Sequence, residues 1–227
     1  MPSSMKESAT LLDFRKTDIA SLHEAIQSGE LRFSDIAESC IAHYDRTQET
    51  YHPWVRFDAE LLRKTAGELQ ARFDSQKTLR PLDGIPIAVK DIFNTIDFPT
   101  EMGSPLWKDF TPGNDARIVF QAKQAGAMIP GKTVTAEFAV HALNETINPH
   151  DPTRTPGTSS SGSAAAIALG VVPVSLGSQT AASVVRPASF CGIYGYKPSF
   201  GTIPRTGTLK TTDSLDTLGF FTASSAD

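Results

Sequence analysis

The stretch GIPIAVKD, residues 84–91, opens the region that decides the fold. Its apolar, β-branched run predicts a strand, and ARIVFQAKQAG (116–126) predicts a helix, followed by a short strand at AMI (127–129). SGSAAAIALG (161–170) predicts another helix and VVPVSLG (171–177) another strand. This alternation favours an α/β fold with a largely parallel or mixed β-sheet.

Helical patterns dominate the chain before residue 81. Apolar residues recur at helical spacing in 18–28 and 34–48, and a third helix is predicted over about 58–73. Thr17 and Ser34 stand where N-caps are expected.

The chain shows no internal repeat, low-complexity tract or linker. We predict one domain over residues 1–227, with 1–80 as a mainly helical outer layer and 81–227 as the α/β core. Residues 1–10 are polar and are expected to be loose.

Composition narrows the class of protein. The 227 residues hold 21 Lys and Arg against 25 Asp and Glu, with no basic block, so charge gives no argument for a nucleic-acid or membrane partner. Cys40 and Cys191 fit no metal spacing, and no apolar run reaches the length of a membrane span. These features predict a soluble cytoplasmic protein.

Residues 126–133, GAMIPGKT, match the pattern of a phosphate-binding loop. Such a loop needs a strand before its first glycine and free backbone N–H groups inside it. Here a helical pattern precedes Gly126, and Pro130 has no N–H. We therefore interpret the segment as a helix end, a short strand and a turn. The five histidines show no ligand spacing either.

Lys90 and Ser183 are the candidate reactive side chains. Lys90 ends a predicted strand, where it either reaches solvent or is held in an apolar site as a general base. Ser183 follows the loop GSQTAA after another strand. It is either an ordinary loop serine or a nucleophile whose neighbouring N–H groups stabilise an oxyanion.

Three segments together resemble the amidase signature family: GIPIAVKD, TPGTSSSGSAAA and GSQTAASVVRPASFCGIYGYKPSFG. The resemblance runs from about residue 82 to residue 216. It implies a Ser–Ser–Lys triad, with Lys90 as the base, Ser159 as the bridging serine and Ser183 as the nucleophile. It also implies a cis peptide bond at Ser159.

The resemblance assigns further roles around the triad. It implies an oxyanion hole built from the backbone N–H groups of Thr180, Ala181, Ala182 and Ser183. It implies no metal and no organic cofactor.

The segment after Lys90 is expected to line the substrate pocket by the same resemblance, with Met102 and Gly103 as candidate contacts. The substrate is expected to be a small-molecule amide. A homodimer is an open expectation.

The chain departs from the family pattern at several positions near the proposed nucleophile. Alanines stand at 181 and 182 and Ser161 at another position where the family has glycine, while Gln179 and Val185 replace an aspartate and an arginine. We interpret these changes as the mark of a subgroup. They argue against the amidotransferase subunit that acts on misacylated transfer RNA.

The implied fold is a mixed, twisted β-sheet core flanked by helices. Family members are commonly twice this long, so the chain is expected to be truncated and to lack the C-terminal half. We predict hydrolysis of a carbon–nitrogen bond in a non-peptide amide through an acyl-enzyme. The alternative is a catalytically incomplete fragment that binds a partner, and a nucleotide-binding ATPase is a distant third.

Overall fold

The computed structural model describes residues 11–227, so the prediction for residues 1–10 lies outside the described part. Helices α1 to α6 are, in chain order, Ile19–Ser28, Phe33–Tyr51, Ala59–Gln76, Arg117–Gln124, Ser161–Ala168 and Val185–Cys191. Strands β1 to β6 are Trp54–Phe57, Ile87–Lys90, Gly131–Thr133, Val174–Gln179, Tyr194–Tyr196 and Thr217–Thr222. Short 3-10 turns lie at Pro105–Trp107 and Glu137–Ala139.

The helices predicted before residue 81 are confirmed, but both predicted N-caps are wrong. Asp18 caps α1, because its carboxylate accepts a backbone N–H of the first turn at 2.7 Å. Helix α2 begins after Arg32, whose backbone N–H donates to the Asp35 carboxylate at 2.8 Å. Thr17 therefore lies one residue before the cap of α1, and Ser34 lies inside the first turn of α2, after the cap position.

Helices α1 to α3 share one apolar core with the sheet. Their fully or nearly fully buried side chains include Leu22, Ile26, Phe33, Ile36, Leu62 and Phe73. Phe33 and Phe73 meet edge to face, with ring centroids 6.0 Å apart. The same cluster continues into Ile87 and Val89 of β2 and Leu176 of β4. Burial of this apolar face holds the helices against the α/β part of the chain.

The sheet has six strands in the order β1-β3-β2-β4-β6-β5. The central pairs β3–β2 and β2–β4 are parallel, and the outer pairs are antiparallel. The predicted mixed sheet flanked by helices is therefore confirmed. Because β2, β3 and β4 run in one direction, their carboxyl ends meet at one edge of the sheet, where ligands bind in open α/β folds.

The predicted short strand at 127–129 is wrong in position. That segment contributes one isolated bridge, between Pro86 and Met128, and the strand itself is Gly131–Thr133. Gly131 allows the close approach of β1, since a Cβ there would collide with the Arg56 carbonyl. The residues Gly-Lys-Thr that end the phosphate-loop pattern thus form the buried strand β3.

Helix α5 packs with almost no free space around it. Every residue from Ser161 to Ile167 is buried. A Cβ at Gly162 would collide with the Pro53 carbonyl and the backbone of Val134. The small residues therefore let α5 lie directly on the strands, and its N-terminus meets the carboxyl edge of the sheet.

Across residues 11–227, no helix combines the length and the apolar character needed to cross a bilayer. The cytoplasmic location stays a prediction.

Candidate active site

Lys90 is the last residue of β2 and is fully buried. Its Nζ donates to Ser159 Oγ at 2.8 Å and to Ser178 Oγ at 2.9 Å. No carboxylate among residues 11–227 forms a salt bridge with it. A buried lysine with only hydroxyl partners carries an uncompensated cost in its charged form.

The buried surroundings of Lys90 favour its neutral form. Burial lowers the pKa of Lys90 to about 7, while the negative charge of Asp216 acts in the opposite direction. Near neutral pH a large fraction of the side chain is therefore an amine with a free lone pair. Such an amine can act as a general base.

Ser159 lies in the tight segment before α5 and is fully buried. The Thr158–Ser159 peptide bond is cis, as the resemblance implies. The Ser159 carbonyl accepts the Ala136 N–H at 3.0 Å, which ties this segment to the loop after β3. Ser159 and Lys90 are thus brought together across the edge of the sheet.

Ser183 and residues 180–182 form the turn between β4 and α6. Within the described chain, the N–H groups of Ala181, Ala182 and Ser183 donate no hydrogen bond. Ser183 Oγ makes no hydrogen bond to Ser159 or Lys90 in this structure. The turn therefore leaves these three backbone donors without a partner among the described residues.

The two alanines fit this turn without backbone strain. Neither Ala181 nor Ala182 has a positive φ, so a glycine is not needed at either position. Gln179 also has a defined role, because its Oε1 accepts the N–H groups of Val184 and Val185 at 2.9 Å each. Gln179 thus supplies the acceptor that fixes the start of α6.

Asp216 is a site residue that the sequence analysis did not identify. Its carboxylate accepts Thr180 Oγ1 at 2.5 Å and the N–H groups of Thr211 and Thr212 at 2.6 and 2.9 Å, and Arg205 lies 3.6 Å away. Burial raises the pKa of Asp216, but the hydrogen bonds from Thr180, Thr212 and Thr211 prevail and bring it to about 2. Asp216 therefore stays charged and anchors the turn at Thr180.

Met102 and Gly103 lie in the loop after β2, beside the site. The Met102 N–H donates to the Asp91 carbonyl at 2.9 Å, and its side chain is largely buried. Gly103 has φ +66°, and a Cβ there would lie 2.7 Å from the Thr135 carbonyl oxygen. Gly103 lines a surface depression of about 610 Å³ that it shares with Glu137, and Met102 is not among its lining residues.

Lys132, from the segment that resembles a phosphate-binding loop, is fully buried. Its Nζ lies 3.1 Å from the Asp91 carboxylate and donates to Phe93 O, Pro99 O and Thr100 Oγ1 at 2.8 to 3.1 Å. Every hydrogen of this ammonium is used inside the protein, so no donor remains for a phosphate. This geometry agrees with the interpretation of residues 126–133 as a helix end, a strand and a turn and not as a phosphate-binding loop.

Comparison with known proteins agrees with this architecture. The chain is 37% identical over 207 residues to a glutamyl-tRNA(Gln) amidotransferase subunit of Chloroflexus aurantiacus, covering 88% of this chain and 42% of that protein. Among solved structures, the native peptide amidase of Stenotrophomonas maltophilia is 31% identical with a TM-score of 0.86, covering 93% of this chain and 46% of that one. A chain from a vestigial protein complex that bears on the origins of an s-triazine catabolic enzyme is 36% identical with a TM-score of 0.86, covering 91% and 47%.

The chain thus spans less than half the length of these relatives. The Amidase family matches residues 35–227, which include every element from most of α2 onward and all of the residues around Lys90. The chain belongs to the Amidase family.

Proposed function

We propose that this chain carries the catalytic centre of an amidase that cleaves a carbon–nitrogen bond through an acyl-enzyme. Lys90 is the base, Ser159 the bridging residue and Ser183 the nucleophile. The observation that carries the proposal is the contact of 2.8 Å between Lys90 Nζ and Ser159 Oγ, made by a buried lysine with no salt-bridge partner among the described residues. Lysine is almost never fully buried unless it is paired, so the lack of an acidic partner for Lys90 in the described chain favours a functional role.

Acylation moves one proton through this pair. Ser183 Oγ attacks the amide carbon, its proton passes to Ser159, and the Ser159 proton passes to the lone pair of Lys90. The carbonyl electron pair moves onto oxygen, where the N–H groups of the 180–183 turn stabilise it. Contacts of this kind are often long in a substrate-free site and tighten when substrate binds, which accommodates the absence of a Ser183–Ser159 hydrogen bond.

The same relay then runs in reverse. Lys90 returns its proton through Ser159 to the amine nitrogen as the carbon–nitrogen bond breaks, so the leaving group departs as a neutral amine. A water molecule attacks the ester carbon, gives one proton to the relay, and releases the acid while Ser183 recovers its hydrogen. An amide needs this second proton transfer, because an unprotonated amine anion is a very poor leaving group.

For the substrate we propose a small, non-peptide amide that contacts Met102 and Gly103. The depression lined by Gly103 offers about 610 Å³ and is also lined by Asp91, the residue after Lys90, but not by Lys90, Ser159 or Ser183 themselves. Relatives such as the Chloroflexus aurantiacus protein are glutamyl-tRNA(Gln) amidotransferase subunits. The replacements at Gln179 and Val185 support a different substrate for this chain. A panel of substrates tests this choice, in which each simple primary amide is paired with a peptide amide of the same acyl group. We expect faster turnover of the simple amide in each pair.

Labelling with a fluorophosphonate, which reacts with activated serines, tests the catalytic proposal. We expect the wild-type chain to be labelled, Ser183→Ala to be unlabelled, and Lys90→Met to react at least about 100-fold more slowly. Ser189→Ala is the matched control, since Ser189 is an exposed serine on the neighbouring helix α6 and should leave labelling unchanged. A folded wild-type chain that resists the reagent would contradict the proposal.

That negative result would favour a second candidate function, the binding of a partner polypeptide. The favouring observation is an exposed aromatic surface at the β5 edge of the sheet, where Tyr194, Tyr196 and Phe200 are 57%, 58% and 53% exposed. An edge strand with exposed aromatic residues can pair with another chain. A homodimer through this edge is the alternative assembly. Measuring the size of the protein in solution would distinguish it from a complex with another chain.

A further inference from the structure

Ser178 is the second hydroxyl on Lys90, and the triad leaves it without a role. It lies near the carboxyl end of β4, the strand parallel to β2. Lys90 Nζ is held between Ser159 Oγ at 2.8 Å and Ser178 Oγ at 2.9 Å. Among residues 11–227, these are the two side chains that hydrogen-bond to this nitrogen.

Two other buried serines near the site, Ser163 and Ser175, donate to backbone carbonyls, and Ser163 also pairs with Thr133 Oγ1 at 2.7 Å. Ser163 Oγ donates to the Leu176 carbonyl at 2.9 Å, and Ser175 Oγ donates to the Ser163 carbonyl at 2.8 Å. Ser178 Oγ contacts Lys90 and makes no other hydrogen bond within the described chain. Its hydroxyl is therefore explained by Lys90 and not by the packing of the strand.

The protonation state of Lys90 decides how many hydrogens its Nζ can donate to Ser178 and Ser159. A neutral amine has two N–H donors and one lone pair, and an ammonium has three N–H donors. When one N–H is held by Ser178, rotation of the Nζ group is restricted and the position facing Ser159 is free to take up or release a proton. After proton uptake, both hydroxyls accept from the ammonium.

A hydroxyl suits this position better than a carboxylate would. A carboxylate at the same distance would favour the ammonium strongly and remove the base, as an opposite charge nearby does. The charged group that acts on Lys90 is Asp216, which precedes β6, while β4 and the segment before α5 contribute only Ser178 and Ser159. Asp91, the next residue along the chain, is paired with Lys132, and neither side chain hydrogen-bonds to Lys90 Nζ.

We propose that Ser178 is a positioning residue for Lys90, whose hydroxyl holds Nζ against Ser159 and stabilises the ammonium that forms while Ser183 is acylated. The inference rests on the proposed function for its role in the reaction. The contact itself can be tested without activity.

The first measurement is an NMR titration of the Lys90 side chain in isotopically labelled protein, with its signal assigned by its loss in Lys90→Met. In Ser178→Ala the ammonium loses an acceptor that binds it more strongly than it binds the amine, so the titration midpoint should fall by about one pH unit. Ser178→Thr keeps a hydroxyl and should titrate like the wild type. Ser175→Ala, which removes a buried serine hydroxyl from the same strand, should leave the midpoint unchanged.

The second measurement is the pH dependence of fluorophosphonate labelling. Ser178→Ala should react about tenfold more slowly on the plateau, with the acid limb of the profile moved to lower pH by the same amount as the NMR midpoint. Ser178→Thr should recover both. A residue that only stabilised the strand would lower the melting temperature without moving this limb.

The outcomes separate the two proposals. An unchanged Lys90 midpoint in Ser178→Ala, or an equal shift in Ser175→Ala, would overturn the role of Ser178 whether or not the chain reacts. If the Lys90 midpoint shifts in Ser178→Ala but the wild-type chain is never labelled, the Lys90–Ser178 contact is retained and the amidase proposal is rejected. A shifted midpoint with unchanged labelling kinetics would reject the role of Ser178 in the reaction.

Discussion

Two lysines on neighbouring strands, Lys90 on β2 and Lys132 on β3, are both fully buried but have opposite surroundings. Lys90 pairs in register with Thr133, and Lys132 with Val89. Because side chains alternate along a strand, the two lysines point to opposite faces of the sheet. Lys90 meets two hydroxyls, whereas Lys132 meets a carboxylate, two carbonyls and a hydroxyl.

The difference separates a lysine that lacks a carboxylate partner from one that forms an ion pair. Burial lowers the pKa of both, but at Lys132 the adjacent Asp91 carboxylate and its hydrogen bond oppose that effect directly. Lys132 and Asp91 also hold the loop after β2, since the Asp91 carboxylate accepts the Glu101 N–H. Equal burial therefore leaves a lysine without an ion-pair partner among the described residues on one face, and a lysine paired with Asp91 on the other.

The largest expected effect comes from breaking the structural pair. Lys132→Met leaves the Asp91 carboxylate buried without its cation, and we expect a loss of about 3–5 kcal/mol in the free energy of unfolding. Adding Asp91→Asn to this variant removes the stranded charge and should restore much of the loss. Urea unfolding measures both, with the exposed Lys77→Met as control. A cost for Lys132→Met no larger than that of the control would refute the contrast.

The next prediction concerns the pH dependence of stability at Lys90. Its folded pKa of about 7 lies below the 10.5 of a free lysine, so the unfolded chain binds the extra proton between these values. Stability then rises with pH in this window, by about 1.4 kcal/mol per pH unit relative to Lys90→Met. Unfolding of the two proteins in urea at several pH values measures the slope. Parallel curves for the two proteins would show that Lys90 is charged in the folded state.

The smallest effect is expected at a neutral hydrogen bond on the Lys90 side of the sheet. Gln179→Ala removes the acceptor of the Val184 and Val185 N–H groups and should lower the free energy of unfolding by about 1 kcal/mol. The wild type is the reference, because Gln179→Glu would keep an accepting oxygen but bury a carboxylate. Thermal unfolding compares the two, and equal melting temperatures would mean that the cap contributes nothing.

Much of the fold was predictable, because apolar periodicity is a local signal. The helices before residue 81, the strand at Ile87–Lys90 and helix α5 all follow from spacing and residue type. Strand β3 could not be placed this way, because Gly131 and Lys132 have low strand propensity. Its position depends on a close contact with β1 and on an ion pair with Asp91, and both are tertiary contacts.

The candidate site was predictable only in part. The resemblance identified Lys90 and Ser159, whose side chains meet in the structure. Ser178 and Asp216 were missed, since a serine in a strand and an aspartate before one carry no local mark of a role. Their roles appear only when residues distant in the chain are brought together, as in the bond between Thr180 and Asp216.

The sheet order also bears on how the molecule folds. Strands β2 and β4 are adjacent in space, yet the contacts of Lys90 with Ser159 and Ser178 join residues 69 and 88 positions apart. Closing such long loops is entropically expensive, and chains dominated by distant pairings fold slowly. The lysine therefore acquires its hydroxyl partners only when segments 69 and 88 residues away have come together at the end of β2, so its low pKa is a property of the assembled sheet and not of the local sequence.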